Sequence, residues 1–196
     1  MKQMRWFACL ALPVVLLVAG CASVQAQEQE KEEPGGFRGE FLWQLDDGGK
    51  KLVSLAEAIP AEKYGWRPGE GVRSTSELFM HVAGANYWLP SLMGVEVPEG
   101  ISRGMEKTVT EKADVLEHLQ RSIEHLRRAA LAMDDADLER PVKIFDRESS
   151  ARGLFLICLT HSWEHLGQAI AYARMNGVVP PWTAERQARQ KVEKEQ

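Results

Sequence analysis

Cysteine is scarce in this chain. Only three occur in 196 residues, and Cys9 and Cys21 both fall within the first twenty-one positions. If that leader is removed or acylated, Cys158 stands alone and no intrachain disulfide can form, so stability must come from packing. Basic clusters are equally sparse, with nothing larger than Arg127-Arg128. The net charge is −4, and residues 1–20 carry only Lys2 and Arg5, so their loss takes the balance to −6. Such a chain lacks the positive footprint of a nucleic-acid-binding protein. No internal repeat, strand-like alternation or glycine-rich phosphate loop is visible, which argues against β-rich and nucleotide-cradling folds. The one strongly apolar run, Trp6 to Val18, is too short for a membrane span.

What is present begins with that run. Lys2 and Arg5 ahead of it and small residues behind it make residues 1–20 a secretory signal. Val18-Ala19-Gly20-Cys21 resembles a bacterial lipobox, in which Cys21 is lipidated and anchors the chain to a membrane. Val24-Gln25-Ala26 offers the alternative of ordinary cleavage and a periplasmic or secreted protein. With the lipobox, and no Asp at position 22, the expected location is the outer membrane, on its periplasmic face. Residues 21–36 are polar, end in Pro34-Gly35-Gly36, and read as a flexible tether.

From residue 37 the pattern is helical. Phe41, Leu45, Leu52, Leu55, Ala56 and Ile59 predict a first helix ending before Pro60, with Asp46-Asp47-Gly48-Gly49 as an interruption. A Gly- and Pro-rich connection follows over 60–73, with Tyr64 and Trp66 against the core edge. Ser74 and Glu77 form a capping box that starts a second helix running to about Met93. Its expected stripe is Leu78, Val82, Ala85, Trp88, Leu89 and Leu92, with a kink at Pro90. A third helix, from Thr108 or Thr110 to about Met133, carries Leu116, Leu119, Ile123, Leu126 and Ala130. The fourth starts near Ala151 and stops at Asn176-Gly177, ahead of Pro180-Pro181. Residues 183–196 are charged and read as a tail, helical or loose. The connections 94–107 and 134–150 are long. The predicted fold is all-α, a four-helix bundle over 37–182 with long crossover loops.

The chemistry is concentrated in three histidines. His161 and His165 are four apart, so their rings project from one face of the fourth helix, beside Leu154, Ile157, Cys158, Gln168, Ala169 and Tyr172. His81 lies in the stripe of the second helix. Burying three imidazoles together without partners would cost several kcal/mol. A divalent metal removes that cost, and three protein nitrogens leave at least one position for a guest. His118 and His125, on the third helix beside Glu117, Gln120, Arg121, Glu124 and Arg128, read as solvated. Gln168 is a candidate to orient a ligand or a bound water, and Glu164 a weaker candidate for an outer or acid–base role. Cys158, one turn before His161, reads as a small core residue, with a thiol near the metal as the alternative; Tyr87, Trp88 and Trp163 read as core, with pocket wall as the alternative.

Two segments together carry a family resemblance: Gly71-Val-Arg-Ser-x-x-Glu-Leu-x-x-His81, and His161-x3-His165-x2-Gln168 followed by Arg174, Gly177 and Pro180-Pro181. With Arg67-Pro68 they resemble the DinB/YfiT-like superfamily over roughly residues 37–182. The resemblance implies a four-helix bundle with a divalent metal, nickel or zinc, held by His81, His161 and His165. Val72-Arg73 departs from it, since many members have an aromatic there; the departure is expected to touch packing more than ligation. Members of known chemistry are mostly thiol-dependent transferases or isomerases, so one expectation is a metal-dependent transferase or hydrolase acting on a small molecule. The other is a non-catalytic envelope module using the metal for stability, metal capture or partner contact. Pairing into a homodimer is also expected of such bundles.

Overall fold

The computed structural model describes residues 34–195. The signal sequence, Cys21 and most of the tether lie outside the described residues. Helix α1 runs unbroken from Gly36 to Ala58, through the glycine pair expected to interrupt it. Two mid-helix glycines cost about 1 kcal/mol each relative to alanine. The reason they are there is close packing. A Cβ on Gly48 would sit 3.2 Å from the Trp163 ring, and one on Gly49 would sit 3.0 Å from Ile123. The chain turns extended at Ile59, as a residue before proline tends to. A 3₁₀ turn (Ala61–Lys63) then delivers Tyr64 into the core, where its hydroxyl donates to the Ala56 carbonyl at 2.7 Å.

Helix α2, Thr75–Trp88, starts at the expected capping box: the Ser74 hydroxyl accepts from Glu77 N, and the Glu77 carboxylate accepts from Ser74 N at 2.8 Å. It is shorter than predicted. At Leu89 the backbone tightens into a 3₁₀ turn (Leu89–Met93) that accommodates Pro90, burying Met93 and leaving Leu92 exposed. Phe79, Met80 and Ala83 are as buried as Leu78 and Val82, so α2 is enclosed on nearly all sides. Helix α3 is one turn, Met105–Thr108, at the end of the long 94–107 connection.

Helix α4, Lys112–Leu131, is rotated from the expected stripe. Val115, Leu119, Ser122, His125, Leu126, Ala129 and Ala130 face inward, and Leu116 and Ile123 are half-buried. The polar Ser122 belongs inside because it is bonded there: its hydroxyl accepts from Asn86 Nδ2 (3.2 Å) and donates to the Leu119 carbonyl (2.8 Å). His125 is likewise buried, 6% exposed and 5.6 Å from the Tyr87 ring, which corrects its reading as solvated. His118 is half-buried.

The connection after α4 holds a 3₁₀ turn (Asp135–Glu139) and a β-hairpin, β1 Pro141–Ile144 and β2 Arg147–Ser150, which the sequence reading did not anticipate. Val142 and Ile144 point inward, but two residues of alternation are too few to recognise. Phe145, first of the two turn residues, has φ 55° and is 75% exposed. For a non-glycine residue that backbone costs on the order of 1–2 kcal/mol.

Helix α5 spans Ala151–Met175. Ser150 caps it by accepting from Gly153 N, and Gly177 (φ 76°) closes it: Val178 N donates to Ala173 O and Gly177 N to Arg174 O, a Schellman ending. Helix α6, Pro181–Glu195, is exposed but regular, so the charged tail is helical. α1, α2, α4 and α5 form the bundle around two apolar clusters, one centred on Leu55, Leu78, Leu119 and Leu166, the other on Phe41, Leu126, Leu154 and Phe155. Among the described residues no helix is long and apolar enough to cross a membrane.

Candidate metal centre

His81 lies on α2 just after the capping box, which sets the helix register, and His161 and His165 lie on α5 between its two well-made ends. The structure brings all three together. One ligand nitrogen from each lies within 4.8 Å of the others. Ring centroids are 4.9 Å apart for His81–His161, 4.8 Å for His81–His165 and 4.5 Å for His161–His165. His165 is 8% exposed, and the other two are half-buried.

The outer nitrogens show which protons are already committed. His81 Nδ1 faces Glu106 Oε2 at 3.0 Å, and a carboxylate only accepts, so Nδ1 carries the proton. Glu106 is held in turn by Arg73 Nε at 2.9 Å. His165 Nδ1 donates to Gln168 Oε1 (2.9 Å), Gln168 Nε2 donates to the Tyr172 hydroxyl (3.1 Å), and that hydroxyl donates to the Arg73 carbonyl (3.1 Å). Nε2 of His81 and of His165 is therefore left with its lone pair. His161 Nε2 lies 3.1 Å from His81 Nε2, and His161 Nδ1 is buried with no hydrogen-bond partner.

Electrostatics favour the neutral form of two of the rings, His81 and His161. Burial, then repulsion from His165, His81 and Arg73, lowers the His161 pKa to about 4. Burial also lowers His81, although its hydrogen bond to Glu106 opposes the shift. Burial pushes Glu106 upward, but the hydrogen bonds from Arg73 and His81 outweigh it and hold the carboxyl below its usual range. Neutral imidazoles with free lone pairs, close together and oriented by outer acceptors, are the donor set that a divalent transition metal takes. The residues present fit such an ion.

A profile of the DinB superfamily matches residues 44–169, the span that holds all three histidines. The chain belongs to the DinB superfamily. This DinB chain also shares its fold with solved structures at low identity. A DinB-like protein from Bacillus cereus is 17% identical with a TM-score of 0.65, covering 72% of this chain and 93% of that one. A DinB-like protein from Bacillus subtilis is 19% identical with a TM-score of 0.58, over 71% and 93%. A conserved protein from Enterococcus faecalis is 13% identical with a TM-score of 0.55, over 69% and 94%. No curated protein sequence matches the chain.

Around this DinB centre the secondary candidates separate. Gln168 reaches the site as the acceptor that orients His165. Glu164 is exposed on α5. Cys158 is fully buried, with its thiol pushed up to about 12 by burial, which makes it a core residue. Tyr87 is core, whereas Trp88 lines a cavity of about 420 Å³ together with His81 and His161. Trp163 packs against Gly48 beneath Lys51. A larger groove, about 610 Å³ between α1 and α4, is lined by residues such as Lys50, Val53, Gln120 and Glu124 and by none of the histidines. The sequence reading missed two residues. Glu106 came from a connection with no periodicity to mark it, and Arg73 stands at a position expected to affect packing more than ligation.

Proposed function

We propose that this DinB protein binds one divalent ion, nickel or zinc, through His81, His161 and His165, and that the site serves a transfer or hydrolysis reaction on a small molecule. The observation that carries the reading is the meeting of three imidazoles from two helices, two of them with Nδ1 already donating to Glu106 and Gln168. Imidazole nitrogen suits both metals. A bound divalent ion would supply Lewis acidity toward a thiol, water or carbonyl of the reactants. The chain's own part is to orient the rings through Glu106 and Gln168, and to receive the substrate in the cavity beside them. Met80, Trp88, Leu89 and Ile157 give that cavity apolar walls.

One observation favours a non-catalytic module as the second reading. Glu106, the carboxylate among the described lining residues, is already engaged by Arg73 and His81, and so is no free general base. Elemental analysis of protein purified without added metal tests the binding reading. One equivalent in the parent and little in His165→Ala is expected; equal, negligible content in both would end it. Metal-dependent turnover in a screen of thiols and esters then separates the two readings, since the module predicts none.

A further inference from the structure

We propose that the cavity beside the histidines selects small carboxylic acids with an apolar, ring-sized body, and that Arg103 holds the carboxylate. The inference deepens the reading above and rests on it for the cavity being where substrate binds.

Three observations converge. First, Arg103 lines the cavity and is exposed, with its guanidinium 4.3 Å from the ring centroid of Trp88. Among the described residues no carboxylate pairs with it, whereas Arg67 and Arg73 are paired with Glu77 and Glu106. Stacking on an indole fixes the guanidinium plane and leaves its N–H edges for a planar, two-oxygen acceptor. Secondly, Met80, Leu89, Ile157 and the Trp88 face give the cavity a largely apolar side, with His81, His161, Ser102 and the already paired Glu106 as its other polar groups, and about 420 Å³ is within the range of small-molecule sites. A hydrophobic body with one anionic end matches both the apolar side and Arg103.

Thirdly, Phe145 stands at the cavity edge at the tip of the β1–β2 hairpin. It is three-quarters exposed, and it holds a left-handed backbone conformation that glycine would adopt without strain. Of its two turn residues only the first has positive φ, the sign pattern of a type II′ turn, which favours Gly at that place. An aromatic ring kept in water on a strained backbone contributes little to the fold. It is explained if the ring covers the apolar part of a bound ligand.

The test is calorimetric titration with 4-phenylbutyrate, 4-phenylbutanol and butyrate, on both metal-loaded and chelated protein. In the parent, 4-phenylbutyrate should bind about 10-fold more tightly than either of the others in both forms. Arg103→Gln should bring the acid and the alcohol to within about 2-fold while leaving metal content unchanged. Phe145→Gly should weaken 4-phenylbutyrate but not butyrate, without lowering the melting temperature. Three results overturn the proposal: no preference for the acid in the parent, a preference that survives Arg103→Gln, or one that vanishes on chelation because the carboxylate sits on the ion. An Arg103-dependent preference in protein that takes up no metal even when nickel or zinc is supplied would leave this inference standing and end the metal reading instead.

Discussion

Arg73 stands between two of the three imidazoles. Its guanidinium fixes Glu106, which fixes His81; its backbone carbonyl receives the Tyr172 hydroxyl, which accepts from Gln168, which fixes His165. Acceptors behind ligating histidines are worth roughly 10- to 100-fold in metal affinity. Arg73→Gln is therefore expected to weaken binding by about that factor while the three histidines remain, measured by competition with a chromogenic chelator. Unchanged affinity would mean that the rings hold their own orientation. Folding is checked by melting temperature, since Arg73 is partly exposed and an exposed ion pair contributes at most about 1 kcal/mol. The histidines themselves were legible, because two lie four apart on one strongly apolar helix and the third falls in the stripe of another. Glu106 was not, because it lies 25 residues along the chain from His81 and only the path of a one-turn helix brings it back.

Elements obeyed their local rules except where a neighbour overruled them. α2 began at its capping box and α5 ended at Gly177 as their sequences required. α1 did not break at Gly48-Gly49, since the missing side chains are the room into which Trp163 and Ile123 fit. Gly49→Ala sets a gain of about 1 kcal/mol in helix propensity against a methyl placed 3.0 Å from Ile123 Cγ2. The expectation is a neutral or destabilising single change. Combined with Ile123→Ala, the pair should be less destabilising than the sum of the singles by about 1 kcal/mol, read from urea unfolding. Strict additivity would show that the glycine is not a packing device. The hairpin escaped notice for a related reason: its turn is Phe145-Asp146, not one of the Asn-Gly or Gly-led pairs that mark tight turns.

At the scale of the whole molecule, buried histidines make stability depend on pH. Burial, and secondarily Arg128, lowers the pKa of His125, which packs on Tyr87 with its Nε2 unpartnered. An unfolded histidine titrates near 6.5. Below that the unfolded chain binds a proton that the folded chain resists, so stability falls as pH drops through about 6.5. His81 and His161 shift in the same direction, and the depressed carboxyls of Glu77 and Glu106 add losses at lower pH. In chelated protein, urea unfolding at pH 8 and pH 5.5 should show His125→Leu losing less than the parent, by on the order of 1 kcal/mol. Equal losses would place His125 in water, as its charged neighbours in the sequence had suggested. The sequence by itself determined the all-α class, the start of α2, the end of α5 and the identity of the three histidines, because caps, glycine stops and 3.6-residue periodicity act within a few residues. Only the tertiary structure decided which face of α4 turns inward, that Arg73 and Glu106 stand behind the imidazoles, and that Arg103 and Phe145 border the same cavity. Those outcomes rest on hydrogen bonds and packing between segments far apart in the chain, and no local pattern encodes them.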